Sequence, residues 1–182
     1  NEGDKMLSVV KSMSLIGLDG HLINVQVDVS SGMPCWEIVG LPDISVKESK
    51  ERVRTSIKNS GYEFLSRRIV INLAPADIKK EGSSFDLPIA IGILICSEQI
   101  KKTSFDDTIF IGELSLDGTI NRVNGILPIC IEARKLRIKR VIVPIENTKE
   151  ASIVSDIEII GVKSLSEVVK YLNSEIDITP YK

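Results

Sequence analysis

The feature that most constrains the fold is an apolar run over residues 87–96 that contains no charged side chain. The run is too short to cross a bilayer, which takes about 20 residues. Its flanks favour a helix over residues 86–97, in which Pro88 falls in the first turn, where its missing N–H leaves no hydrogen bond unmade. A helix that is apolar on all sides is normally buried on all sides. We therefore expect this helix at the centre of the core.

Other segments predict strands and helices in alternation. In the clearest strand, residues 21–29, Ile23, Val25, Val27 and Val29 share one face. The predicted strands cover residues 21–29, 36–39, 69–73, 108–114, 141–143 and 157–160. The predicted helices cover residues 43–60, 86–97, 126–137 and 164–173, with Asp43 capping the first of them. A hairpin turn is predicted at residues 117–118. This alternation is typical of an α/β (α+β layered) domain.

Composition narrows the function classes. Apolar residues make up 43% of the chain and aromatic residues 4%, so the core must be aliphatic. The net charge of −2 excludes a uniformly basic nucleic-acid binder but allows a local basic patch. The three cysteines are far apart and odd in number, which disfavours disulfides and a zinc site. Reduced thiols and the lack of a membrane segment lead us to expect a cytoplasmic protein.

Two nucleotide-binding motifs are missing from the sequence. No glycine is followed by lysine, so the chain has no P-loop, and G-x-G-x-x-G does not occur either. His21 is the only histidine, and we interpret it as structural rather than catalytic. We therefore expect neither a bound cofactor nor a metal site in this segment.

Three stretches of sequence carry a family resemblance. The first covers residues 38–43, 48–54 and 59–61; the second covers residues 71–77, 79–82 and 85–90; the third covers residues 112–118. In this order they resemble the Mg-chelatase-like AAA+ ATPases of the competence protein ComM type. One departure is Ser83, which stands where the family often has proline.

The resemblance implies the amino-terminal domain of such a protein, with a Lon-protease-like fold of a mixed sheet and packed helices. Residues 6–173 would form this domain, and residues 1–5 are typical of a tag remnant. Residues 174–182 would lead toward an AAA+ motor that binds ATP and Mg. The full-length protein would resemble a hexameric branch-migration helicase of natural transformation. Its partners would be its own motor, neighbouring subunits of a ring and DNA, but no membrane.

A Lon-like protease needs a serine nucleophile and a neutral lysine that accepts its proton. Laid against the Lon pattern, the serine position falls on Ser84 and the lysine position on Leu127. Leucine cannot accept a proton, so we expect a non-catalytic accessory domain. Two alternatives stay open. One is a Lon-like serine peptidase with an unconventional base such as Lys79 or Lys80. The other is a Mg-chelatase-type metal-insertion subunit, although the chain has no obvious cluster of metal ligands.

Several basic residues are candidates for contacts with nucleic-acid phosphates. They are Lys47, Lys50, Arg52, Arg54, Lys58, Arg67, Arg68, Lys79 and Lys80. Glu48 and Glu51 interleave with those of the first helix, so an ordinary solvated helix face is the interpretation that we prefer. A third interpretation is that this helix contacts neighbouring subunits of a ring.

Overall fold

A computed structural model describes residues 6–182, and the predicted tag remnant at residues 1–5 lies outside the described residues. The strands are β1 (Met6–Ile16), β2 (Asp19–Ser30), β3 (Cys35–Val39), β4 (Arg68–Ala74), β5 (Thr108–Phe110), β6 (Glu113–Leu114), β7 (Ile120–Asn121), β8 (Arg140–Pro144) and β9 (Glu158–Val162). The helices are α1 (Asp43–Asn59), α2 (Asp86–Cys96), α3 (Ile126–Lys135), α4 (Thr148–Ala151) and α5 (Leu165–Leu172).

Seven strands form one mixed sheet in the order β3-β4-β2-β1-β5-β8-β9. Every pairing that involves β2 is antiparallel, and the other pairings are parallel. A separate two-stranded hairpin joins β6 to β7. These features confirm the predicted layered α/β fold with a mixed sheet.

The apolar helix α2 lies at the centre of the core, as predicted, and each of its residues is buried. Helices α1, α2 and α5 pack on one face of the sheet, while α3 and α4 contribute to a second core on the other face. Gly92 lets α2 approach β2 closely, because a Cβ there would lie 2.5 Å from Cγ2 of Val27. The Ser8 hydroxyl of β1 donates to the carbonyl of Gly92 at 2.9 Å.

Strand β1 was not predicted from the sequence, although it pairs with β2 over its whole length. The reason is that serines occupy several of its buried positions and interrupt the apolar alternation. Ser12 donates to the carbonyl of Phe110 and Ser14 to that of Lys79, so these hydroxyls are satisfied inside the protein. Buried polar groups with such partners cost little, and the strand forms despite its pattern.

Two further predictions need correction, and one segment has structure that was not predicted. The strand predicted over residues 108–114 divides into β5 and β6, which belong to different sheets. Asp43 does not cap α1: Pro42 occupies the cap position, and no side chain bonds the first turn. The segment 145–151 forms a 3₁₀ turn and the short helix α4, neither of which was predicted.

The last residues of the chain lie against the sheet. Ile178 packs on the main core, and the Tyr181 N–H donates to the carbonyl of Ile159 in the edge strand β9 at 2.8 Å. None of the helices formed by residues 6–182 has the length and hydrophobicity needed to cross a bilayer.

The close approach of α2 to β2 predicts that Gly92→Ala destabilises the protein. Alanine favours a helix by about 1 kcal/mol over glycine, but its methyl group would overlap Val27 and force the helix away from the sheet. We expect a net loss of about 1–3 kcal/mol, measured by urea unfolding. Lys47→Ala on the exposed side of α1 is the control and should change stability little. An unchanged or increased stability of Gly92→Ala would contradict the packing described.

Candidate functional site

A cavity of about 380 Å³ lies at the amino-terminal end of α2. One wall is the loop at residues 81–85, which carries Ser84, and a second wall is the end of β1. Glu113 and residues 122–124 close the remaining side. The lining residues are Met13, Ser14, Leu15, Glu81, Gly82, Ser83, Ser84, Phe85, Glu113, Arg122, Val123, Asn124 and Ile129.

The start of α2 is fixed by a buried carboxylate, that of Asp86, which is 1% exposed. Nε of Arg52 donates to Oδ2 of Asp86 at 2.6 Å, and Nη2 of Arg52 donates to Oδ1 at 3.2 Å. The Ser49 hydroxyl donates to Oδ1 at 2.8 Å, and the Leu114 N–H donates to Oδ2 at 3.2 Å. One carboxylate therefore joins α1, α2 and β6.

Opposing effects set the pKa of Asp86. Burial raises the pKa, because the charged carboxylate is removed from water, and the contacts with Arg52, Ser49 and Leu114 lower it. Burial prevails, so the pKa lies above its ordinary value. The hydrogen bond with Asp86 raises the pKa of Arg52. Since Arg52 supplies the largest of the lowering contacts, its loss would raise the pKa of Asp86 further.

The loop that carries Ser84 is held by its backbone. The Gly112 N–H donates to the carbonyl of Ser84 at 3.1 Å, and the Asp86 N–H donates to the carbonyl of Ser83 at 3.2 Å. The side chain of Ser84 is half-buried and faces the cavity. Within residues 6–182, no side chain accepts a hydrogen bond from the Ser84 hydroxyl.

Leu127 lies in the first turn of α3 and packs against the second core. Its N–H donates to Oε1 of Glu150 in α4 at 3.1 Å. The side chain of Asn147 forms two hydrogen bonds with the backbone of Val123, just before α3. Its Oδ1 accepts from the Val123 N–H, and its Nδ2 donates to the Val123 carbonyl. The segment 145–151, which was not predicted, therefore fixes the backbone at the lysine position of the Lon pattern.

The two lysines that could replace the missing base have other partners. Nζ of Lys80 donates to the carbonyl of Pro75 at 2.5 Å, and the side chain is buried, which lowers the pKa of Lys80. Nζ of Lys79 pairs with Glu81 at 3.7 Å on the surface. Burial and the charge of Glu150 raise the pKa of Cys130, one turn along α3 from Leu127, to about 12, which disfavours the thiolate form that a cysteine nucleophile needs.

Comparison with known proteins decides the family. The model of the family described as "Subunit ChlI of Mg-chelatase" matches residues 25–147, about two thirds of the chain. The chain belongs to this family.

Three relatives show how this ChlI-family chain compares with longer proteins. The competence protein ComM of Haemophilus influenzae is 39% identical over 93% of the chain, which spans 33% of that relative. The uncharacterized protein YifB of Escherichia coli is 42% identical over 82% of the chain, or 29% of YifB. Lon protease 2 of Bacillus subtilis is 28% identical over 91% of the chain, or 33% of that protease.

These matches confirm the predicted resemblance to ComM-type Mg-chelatase-like proteins, and the match to a Lon protease supports the Lon-like fold. The chain spans about one third of the length of these curated relatives. Within residues 6–182 of this ChlI-family chain, no cluster of histidine, cysteine or acidic side chains has the arrangement of a metal site.

The basic residues that were predicted to contact phosphates lie in different surroundings. Lys47, Lys50 and Arg54 line one groove, whereas Arg67 lines another. Arg52 differs from its neighbours because Asp86 holds its guanidinium. Lys58, Arg68 and Lys79 are exposed, while Lys80 is buried. No local sequence pattern indicates the Arg52–Asp86 pair, whose partners are 34 residues apart.

Because Arg52 is paired with a buried carboxylate and Arg54 is not, we expect their replacement by alanine to cost very different amounts of folding free energy. Arg52→Ala leaves the carboxylate of Asp86 buried without its cation, so we expect a loss of about 3–5 kcal/mol of folding free energy. Arg54→Ala, two residues along the exposed side of α1, should change it by less than about 0.5 kcal/mol. Chemical denaturation of both variants measures the difference. Equal losses would contradict a structural role for the pair.

The same variant predicts a pH dependence. In Arg52→Ala the folded-state pKa of Asp86 rises further above its unfolded value, so the folded state binds the proton more tightly than the unfolded chain. The stability of the variant should fall as the pH rises above about 4, the ordinary pKa of aspartate. Urea unfolding of Arg52→Ala and wild type at about pH 5 and about pH 7 measures this. A deficit that does not grow toward neutral pH would contradict it.

Proposed function

We propose that this domain is a non-catalytic accessory domain of a Mg-chelatase-like AAA+ ATPase, which contributes subunit contacts and helps to guide DNA. The main support for the proposal is that, within residues 6–182, no side chain accepts a hydrogen bond from the Ser84 hydroxyl. A leucine occupies the lysine position, and the nearby lysines have other partners. The Lon-like fold is thus combined with a cavity in which no side chain of residues 6–182 accepts a hydrogen bond from the Ser84 hydroxyl, although the carboxylates of Glu81 and Glu113 line the same cavity.

The chemistry of serine explains why this arrangement disfavours hydrolysis. A serine hydroxyl is a weak nucleophile at neutral pH unless a base removes its proton. Loss of a base or nucleophile from such a catalytic group costs on the order of a thousandfold or more in rate. Glu150 bonds the backbone of Leu127, and Asn147 bonds that of Val123, so both are engaged in supporting the loop before α3.

The proposal for the whole protein rests on the family. A ComM-type protein would work as a hexameric branch-migration helicase in the cytoplasm, with ATP and Mg bound by an AAA+ motor. In that arrangement the present domain would lie beside its own motor and neighbouring subunits. The match to a competence protein over 93% of the chain supports this assignment.

A cleavage assay separates an accessory domain from a peptidase. The wild type, Ser84→Ala and Ser83→Ala are each incubated with unfolded casein, and the fragments are followed by gel and mass spectrometry. We expect the three proteins to give the same background, because no base activates Ser84. Cleavage that Ser84→Ala abolishes and the neighbouring control Ser83→Ala retains would overturn the proposal and favour a peptidase.

A further inference from the structure

A second groove, of about 360 Å³, lies between α1 and the edge strand β3. It combines an aromatic ring with several charges along one side of the helix. Its lining residues are Trp36, Asp43, Val46, Lys47, Lys50, Glu51 and Arg54. This combination is of interest because the chain contains one tryptophan and few aromatic residues of any kind.

The ring of Trp36 is held in place from two sides. Its Nε1–H donates to the carbonyl of Lys50 at 3.4 Å, and the ring of Phe64 meets it edge-on with the two centroids 5.5 Å apart. The side chain is half-buried, and it still contributes to the wall of the groove. A ring that is already fixed loses little conformational freedom when a planar group stacks on it.

Three cations line the groove from α1. Lys47, Lys50 and Arg54 follow at helical spacing, which places them on one side of the helix. Among residues 6–182, none of the three has a carboxylate within ion-pair distance, whereas Arg52 is bound to Asp86. Their charges are therefore available to a ligand.

Two acids also line the groove but do not cancel the three cations. Glu51 accepts a hydrogen bond from the Thr55 hydroxyl at 3.1 Å, and Asp43 lies in the first turn of α1. Three positive charges against two negative ones make this groove locally positive on a chain with a net charge of −2.

We propose that this groove binds single-stranded nucleic acid, with a base stacked on Trp36 and the backbone phosphates against Lys47, Lys50 and Arg54. Aromatic stacking combined with cations along the backbone is the usual chemistry of single-strand recognition. A duplex fits less well, because its bases are already stacked on each other and cannot reach the indole. The inference rests on the proposed DNA role of this domain and names the surface that would serve it.

Trp36 is also the reporter for the test, because it is the one tryptophan of the chain. Its fluorescence is followed while an oligodeoxythymidine of about 12 nucleotides is added, a length within the range of single-strand sites. We expect saturable quenching, and less quenching by a duplex of the same length. Absence of quenching, or equal quenching by poly-glutamate, would overturn the proposal.

Charge variants test the cations with a matched control. Lys47→Gln combined with Arg54→Gln should weaken binding of a dye-labelled oligonucleotide by about tenfold or more, because two phosphate contacts are lost. Arg137→Gln combined with Lys139→Gln removes the same charge from the loop between α3 and β8, where exposed basic residues line a surface without an aromatic ring. This control should change binding by less than about twofold. Equal weakening by both pairs would mean unspecific attraction and would overturn the proposal.

The salt dependence gives a second measure of the same contacts. Three phosphate contacts predict a slope of about −2 for the logarithm of the binding constant against that of the salt concentration. In Lys47→Gln with Arg54→Gln the slope should fall to about −0.7. Trp36→Leu should weaken binding by about tenfold without a change of slope, because stacking releases no counterions. A slope unaffected by the charge variants would count against the groove.

Failure of this inference differs from failure of the proposed function. If the groove does not bind the oligonucleotide, the casein assay at Ser84 can still give the result expected of an accessory domain. If casein is cleaved through Ser84, the proposed function fails whatever the groove binds. Circular dichroism of each variant confirms that the change in binding does not come from unfolding.

Discussion

The contact between Arg52 and Asp86 holds α1, α2 and β6 together, and the rest of the structure depends on the arrangement of these three elements. Asp86 begins a helix that is buried on every side, so the position of this carboxylate sets where the helix starts. Asp86 itself belongs to α2, and its partners come from α1 and β6. Because an unpaired carboxylate would be costly at this depth, the three elements are tied together. The loop at residues 82–85 directly precedes Asp86 and forms one wall of the cavity, so the position of Asp86 also sets the position of that wall.

The cavity beside Ser84 lies within a Lon-like fold, and hydrogen bonds to the backbone hold both of its sides. The loop that carries Ser84 is held by a backbone hydrogen bond from the Gly112 N–H to the Ser84 carbonyl, and this bond does not involve the Ser84 hydroxyl. The opposite side of the cavity is stabilised by Glu150 and Asn147, whose polar atoms bond the backbone around Leu127. The same contacts stabilise the fold whether or not a base is present. The fold around the cavity is therefore stabilised by contacts that do not involve the Ser84 hydroxyl.

Sequence patterns predicted those helices and strands in which the burial of apolar side chains follows a regular spacing. The apolar run of α2 required a central position, and the alternation of β2 required one buried face. A serine followed three residues later by a glutamate is typical of a helix start, and Ser164 accepts a hydrogen bond from the Glu167 N–H at 3.2 Å at the start of α5. Strand β1 escaped prediction because its serines are satisfied by carbonyls far away in sequence, such as that of Phe110.

The candidate sites were less predictable, because their partners come together only through tertiary packing. Ser84 and Leu127 were located through the family resemblance, since no local pattern marks either of them. In the sequence, Arg52 cannot be distinguished from the exposed basic residues beside it on α1. Only the fold shows that Asp86 lies next to its guanidinium. Trp36 lies before α1 in the sequence, and the packing of α1 beside β3 brings its Nε1–H to the carbonyl of Lys50.

The most direct test of the central claim is covalent labelling of Ser84, because it needs no knowledge of a substrate. A fluorophosphonate reacts with serine hydroxyls that a nearby base activates, and intact-mass spectrometry counts the adducts. We expect the folded protein at neutral pH to acquire no adduct at Ser84. A stoichiometric adduct that forms on the wild type and disappears in Ser84→Ala would show an activated nucleophile and contradict it.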